Sequence, residues 1–150
     1  MLLAMDGSLP SMKAAGFVAA TLGGRGEYEV CIFHVILGLG GVDFDLSDDI
    51  WIPDQMPENC LDAFKSEVAR WFQVVKSKLT AARFEPEMIS EKIVTGAYSR
   101  SETIVKEAEA GGYSTIVIGR RELSKVDAFF MGRIGHKVVY GGKNFTVWVV

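Results

Sequence analysis

Short apolar runs alternate along the chain with longer segments whose apolar residues recur at helical spacing. The run from Val30 to Ile36 is almost continuously apolar, which is typical of a strand buried on both faces of a parallel sheet. Five short runs are predicted to form strands: Leu2 to Met5, Tyr28 to Ile36, Met88 to Val94, Thr115 to Ile118 and Phe145 to Val150. This alternation constrains the fold most, because the strands of one parallel sheet need crossover connections between them.

Four helical segments are predicted between these strands. The clearest has apolar residues at intervals of three and four, and another begins at a capping-box signal formed by Ser99 and Glu102. The segments are Ser11 to Leu22, Asn59 to Arg83, Ser99 to Gly111, and about Gly132 to Tyr140. Five strands and four helical segments, with no internal repeat or linker, predict one α/β domain over residues 1–150 with a doubly wound parallel sheet.

A long acidic segment from Gly38 to Glu58 separates the second strand from the longest predicted helix. It shows no hydrophobic period and contains five aspartates, which is typical of a loop. The sequence leaves open whether this loop closes over a ligand as a lid or extends into solvent as a mobile insertion.

Charge and composition disfavour several classes of protein. The net charge of −3 and the pI near 5.4 provide no basic field, which disfavours a nucleic acid as the main partner. No apolar stretch reaches the roughly 18 residues of a membrane span, and no signal peptide is visible, so we expect a cytoplasmic protein without a membrane partner. Cys31 and Cys60 belong to no CxxC or Cys/His cluster, which predicts reduced thiols and no metal site. The first strand begins abruptly for a central strand, which is consistent with a trimmed start.

Polar and small residues follow the first and fourth predicted strands, at Asp6 and at Gly119. In an open parallel sheet such turns lie where ligands bind, and a carboxylate there can hold a ribose hydroxyl. The two turns therefore predict a nucleotide-sized site. The alternative for Asp6 is a helix N-terminal cap shared with Ser8.

Three motifs together resemble the universal stress protein family over essentially the whole chain: LLAMDGS, a strand ending in His34-Val35-Ile36, and IVIGRR…MGRIGHKVV…FTVWVV. The resemblance implies a Rossmann-like fold of the adenine nucleotide alpha hydrolase type with strand order 3-2-1-4-5. It also implies ATP as the ligand, with Mg²⁺ accompanying it, and a homodimer formed through the last strand. In nucleotide-binding members the residue matching Asp6 lies at the nucleotide, and the one matching Val35 lies against adenine.

The family's phosphate signature is Gly, two residues, Gly, nine residues, Gly, then Ser or Thr. This chain keeps the first glycine as Gly119 and the third as Gly132, but Glu122 replaces the middle glycine and Arg133 the hydroxyl residue. Glu122 brings a negative charge to a loop whose backbone N–H groups would otherwise approach phosphate.

Basic residues surround the altered signature, at Arg120, Arg121, Lys125 and Arg133. A guanidinium can pair with phosphate in bidentate fashion, so Arg133 is predicted to replace the missing hydroxyl. The alternative is a solvated basic helix face without a ligand.

Two functional hypotheses remain nearly level. One is a nucleotide-binding stress or signalling dimer that uses both ends of the pocket, and the other is a dimeric interaction module of the same family that has lost the nucleotide. An enzyme is disfavoured, because no general base is visible near the phosphates and any ATP hydrolysis would be incidental. His34 and His136 are expected in packing roles. The apolar strand Phe145 to Val150 is predicted to be a sheet edge that a second copy covers.

Overall fold

The computed structural model describes residues 1–38, 58–120, 133–141 and 144–150. Its strands are β1 (Leu2–Ala4), β2 (Val30–Leu37), β3 (Ile89–Ala97), β4 (Thr115–Ile118) and β5 (Thr146–Val149). Its helices are α1 (Leu9–Leu22), α2 (Glu58–Ala81), α3 (Arg100–Ala110) and α4 (Arg133–Gly141). Each predicted strand and helix is present, with ends that shift by at most three residues. The interior of the predicted acidic loop lies outside the described residues.

The five strands form one parallel sheet in the order β3-β2-β1-β4-β5. β1 lies in the centre, where Leu2 pairs with Cys31 of β2 on one side and with Ile116 of β4 on the other. The doubly wound α/β fold and the strand order 3-2-1-4-5 are therefore confirmed. The chain reverses its direction of winding between β1 and β4, and in such sheets ligands bind at this switch point.

Helices cover both faces of the sheet, and each face has its own apolar cluster. On one side Leu3, Ile32 and Val117 pack with buried residues of α1 and α2. On the other side Leu2 and Phe33 pack in a cluster that includes residues of α3 and α4. Alternate residues of β1 and β2 thus face opposite helix layers, which explains why both strands are apolar almost throughout.

Local signals in the sequence explain where two helices begin. Ser8 caps α1, with its Oγ accepting a hydrogen bond from Ser11 N at 3.3 Å. Ser99 caps α3 and accepts from Glu102 N at 3.4 Å, as the capping-box signal predicts. The thiol of Cys31 is buried and not bonded to another cysteine, and the side chain of Cys60 lies outside the described residues. Across the described ranges, no helix combines the length and the apolar character that a bilayer crossing requires.

Candidate functional site

The candidate site lies at the carboxyl edge of the sheet, where the central strand β1 ends before its neighbour β2. β1 ends at Ala4, which pairs with Phe33, whereas β2 continues to Leu37. On the other side β4 ends at Ile118, level with Ala4 in the β1–β4 register. After β1 the chain leaves the sheet through the turn Met5–Ser8, in which Gly7 adopts a φ of +77° that L side chains rarely allow. We call residues 5–8 the ligand turn.

Asp6 is exposed in the ligand turn and holds the cap of α1 in place. Its Oδ1 accepts hydrogen bonds from Ser8 N at 3.0 Å and from Ser8 Oγ at 2.5 Å. The N-cap of α1 is Ser8. The alternative prediction that Asp6 shares the capping role is therefore corrected: Asp6 holds the capping residue in place through hydrogen bonds to Ser8. A carboxylate only accepts hydrogen bonds, so Asp6 has the chemistry that is needed to hold a ribose hydroxyl.

Val35 turns its backbone, not its side chain, toward the end of β1. Because Phe33 O accepts from Met5 N–H at 2.8 Å and backbone groups alternate along a parallel ladder, odd-numbered residues of β2 face β1. In the β1–β2 register Ala4 pairs with Phe33, which brings Val35 level with Asp6, where the chain has left the sheet. The N–H and C=O of Val35 therefore face the space beyond β1, while its side chain is buried in the core.

Gly119 turns its backbone toward the same space from the other side. Ile118 O accepts from Val150 N–H at 3.0 Å and Arg120 N–H donates to Val150 O at 2.6 Å, so these two residues face β5. Gly119, between them, faces β1. Its Cα also packs against the first turn of α1 and leaves no room there for a Cβ.

The structure describes only part of the predicted phosphate-binding half. The side chain of Arg120 is exposed, and Arg133 begins α4, with its side chain outside the described set. Arg121, Glu122 and Gly132 lie outside the described residues altogether. The described part of the sheet edge thus brings together Asp6, which is expected at ribose, Val35, which is expected at adenine, and Gly119, the first glycine of the phosphate signature.

His34 contributes to the ligand turn in a way that the sequence did not indicate. It is buried, and its Nδ1 donates to Met5 O at 2.6 Å. Burial lowers the pKa of His34, and the Arg100 guanidinium lowers it further, against opposing effects of the Met5 hydrogen bond and the Asp6 carboxylate. His34 is therefore held as a neutral imidazole.

Trp71 of α2 covers the ligand turn from the same side as His34. Its ring centroid lies 5.8 Å from that of His34, and its indole packs so tightly on Gly7 that a Cβ there would lie 2.6 Å from the ring. Its Nε1 donates to Glu67 Oε1 at 3.1 Å, which fixes the ring orientation. Trp71 is some 60 residues from the turn in sequence, and helical periodicity marks it only as a core residue.

Comparison with known proteins gives one family. The model of the family described as "Universal stress protein family" matches residues 1–150. A curated relative, universal stress protein YxiE of Bacillus subtilis (strain 168), is 27% identical over 141 residues, which cover 92% of this chain and 89% of the relative.

Two solved structures share the fold at low sequence identity. A universal stress protein in complex with cAMP superposes with a TM-score of 0.66 at 17% identity, covering 99% of this chain and 93% of that one. A universal stress protein from Archaeoglobus fulgidus in complex with dAMP superposes with a TM-score of 0.62 at 16% identity, covering 99% and 94%. At these identities the two structures establish the likeness of fold.

Proposed function

The chain belongs to the universal stress protein family, and from that premise we propose that it is a cytoplasmic homodimer that binds an adenine nucleotide and acts in stress response or signalling. The proposed ligand is ATP with Mg²⁺, bound at the switch point between β1 and β4. The proposed site residues are Asp6, Val35, Gly119, Arg120, Arg121, Gly132 and Arg133.

One observation carries the proposal. The backbone N–H and C=O groups of Val35 and of Gly119 point toward each other across the end of β1, and Asp6 follows β1 between them. Backbone N–H and C=O groups can bind the donor and acceptor edge of adenine, and the carboxylate can accept from ribose hydroxyls. The solved complexes with cAMP and dAMP support this proposal, because both of those ligands contain an adenine and a sugar phosphate.

The phosphates would extend from Gly119 toward the beginning of α4, where the basic residues of the altered signature cluster in sequence. Arg133 at the first position of α4 would pair with phosphate oxygens where the family has a hydroxyl. Within the described ranges no group of three or more His, Cys, Asp or Glu side chains could hold a metal ion. As is usual for this ion, Mg²⁺ would be held mainly by phosphate oxygens and water.

A second candidate, an interaction module without nucleotide, is favoured by the structural roles of two site residues. Asp6 braces the cap of α1, and Gly119 permits close packing of α1 on the sheet, so that both residues have roles without a ligand. Glu122, at the middle glycine position of the phosphate signature, favours the same alternative.

The homodimer is proposed from the contrast between the two sheet edges. At the β3 edge Glu91 and Lys92 are exposed and form ion pairs with helix residues, which discourages pairing with another strand. β5 carries no charge, and because Thr146 N–H bonds to Ser114 O of the β4 side, the backbone groups of Val147 and Val149 face the open edge. A second copy of β5 would satisfy those groups through a twofold interface.

Calorimetric titration of ATP, AMP and GTP at physiological salt tests the nucleotide proposal. We expect ATP and AMP to bind, and Asp6→Ala to weaken both by about tenfold or more, a loss of about 1.4 kcal/mol. Ser8→Ala is the matched control, because it removes the cap but keeps the carboxylate, and it should lower stability by about 1 kcal/mol with little effect on affinity. Wild-type protein that takes up no nucleotide at millimolar concentration would instead support the interaction module.

A further inference from the structure

Two aromatic side chains from different elements hold the ligand turn, and neither belongs to the proposed nucleotide contacts. His34 of β2 donates from Nδ1 to Met5 O at 2.6 Å, immediately before Asp6. Trp71 of α2 packs on Gly7, immediately after Asp6. The residue proposed to bind ribose is therefore fixed on both sides by the same pair of rings, which also contact each other.

The bond to Met5 determines which nitrogen of His34 carries the proton. A carbonyl oxygen can only accept, so Nδ1 is the N–H donor and Nε2 of the neutral ring has a lone pair. His34 is only 6% exposed, and Nε2 has no hydrogen-bond partner among the residues that the structure describes. The surroundings of the ring include Phe64, at a centroid distance of 6.0 Å, and Trp71.

Protonation of Nε2 would conflict with this environment. It would place a charged N–H, without an acceptor in the described structure, among aromatic rings, and burial of such a group is costly. Rotation of the charged ring toward water would lower its free energy. The rotated ring would lose its hydrogen bond to Met5 O and its contact with Trp71.

The charged groups around His34 act in both directions. Arg100, at the beginning of α3, disfavours the imidazolium, whereas Asp6 favours it. On α2, Glu67 accepts a hydrogen bond from Trp71 Nε1, and Arg70 forms an ion pair with Glu67. Desolvation is the largest of these effects and keeps the ring neutral.

We propose that neutral His34, together with Trp71, positions the ligand turn, so that protonation of His34 releases the turn and lowers the affinity for the ligand. His34 is thus a positioning residue that acts through Met5, and the site responds to acidification. The affinity part of this proposal rests on the proposed nucleotide function, whereas the release of the turn does not require a ligand.

The first test uses the free protein and follows the amide NMR signals of Gly7 and Ser8 between about pH 7.5 and pH 5. This range extends well below the ordinary histidine pKa of about 6.5, because burial lowers the pKa of His34. His34→Asn is the matched control, because the Asn Nδ2 can donate to Met5 O from a position similar to that of Nδ1 but cannot titrate. We expect both signals to shift with pH in the wild-type protein and to stay nearly fixed in His34→Asn. Signals that stay fixed in the wild type, or that move equally in both proteins, would overturn the proposal.

The second test compares ATP affinity at the two ends of that pH range. On acidification the ATP affinity of the wild type should fall by about tenfold or more, and that of His34→Asn by less than about twofold. Protonation of ATP itself affects both proteins equally and therefore cancels in the comparison. Equal losses in both proteins would contradict the positioning role while leaving the nucleotide proposal intact. If neither protein binds ATP even at about pH 7.5, the nucleotide proposal fails, and the amide signals still decide whether His34 holds the turn.

Discussion

Gly119, directly after β4, lies so close to Pro10 in the first turn of α1 that a Cβ on Gly119 would be 2.4 Å from the carbonyl carbon of Pro10. The same atom would be 2.5 Å from Ser11 N. Both contacts are with backbone, which cannot move without shifting the helix. The glycine that the family signature assigns to phosphate binding is thus also required for packing of α1 on the sheet.

Gly119→Ala should destabilise the fold, by about 1–3 kcal/mol, because the added methyl group overpacks this contact. The change is measured as the free energy of unfolding in urea. Gly16→Ala is the matched control within α1, because the nearest atom to its Cβ is Lys78 Nζ at 3.8 Å. This control should stabilise the helix by about 0.5–1 kcal/mol. A Gly119→Ala protein as stable as the wild type would show that α1 adapts without cost.

The buried neutral His34 makes stability depend on pH. Burial lowers its pKa in the folded protein, whereas the unfolded chain binds a proton near about pH 6.5. The unfolded state then binds more protons than the folded state, so this contribution to stability is complete above about pH 6.5 and is lost as the pH falls through the folded pKa. The difference in unfolding free energy between wild type and His34→Asn should therefore shift against the wild type on acidification. A difference that is independent of pH would refute the assignment.

Variants of Val147 in β5 can separate backbone hydrogen bonding between two copies of the strand from side-chain packing at the same position. Val147→Pro removes one N–H at the outer edge, not one that bonds to β4, and should yield a monomer in light scattering. Val147→Ala loses apolar volume at the same position but keeps the N–H, and it should remain dimeric. Dimers of Val147→Pro as stable as those of the wild type would place the interface elsewhere.

Glu122 gives a direct test of charge repulsion at the phosphates. Glu122→Gly should strengthen ATP binding several-fold, on the order of 1 kcal/mol, because it removes a negative charge from the middle position of the predicted phosphate signature. Glu122→Gln keeps the side chain but not the charge, so equal gains in both variants would attribute the effect to charge alone. Unchanged affinity in Glu122→Gly would show that the repulsion argument is wrong.

Most strands and helices could be predicted from the sequence, because burial and capping leave their signals within the segment itself. The continuous apolar run in β2 predicted burial on both faces, and Ser99 with Glu102 predicted the beginning of α3. Periodicity could not give the strand order, which depends on contacts between distant strands and came from the family resemblance.

The candidate site was predictable only where residues follow strand ends. Asp6 and Gly119 are at such positions, and the sheet brings both to one edge. The role of Val35 depends on which way its backbone groups point, and that follows from ladder register. The contacts of His34 with Met5 and of Trp71 with Gly7 join elements far apart in the chain, so that no local pattern could reveal them.

An ATP titration followed by amide NMR tests the central claim most directly, because it locates the ligand on the sheet. Binding at the switch point should produce the largest shifts at Asp6, Gly7, Val35 and Gly119, with little change at Val30 and Thr115 at the opposite, amino edge. A spectrum that stays unchanged at millimolar ATP, or whose largest shifts lie at the amino edge, would contradict an adenine nucleotide site at the end of β1.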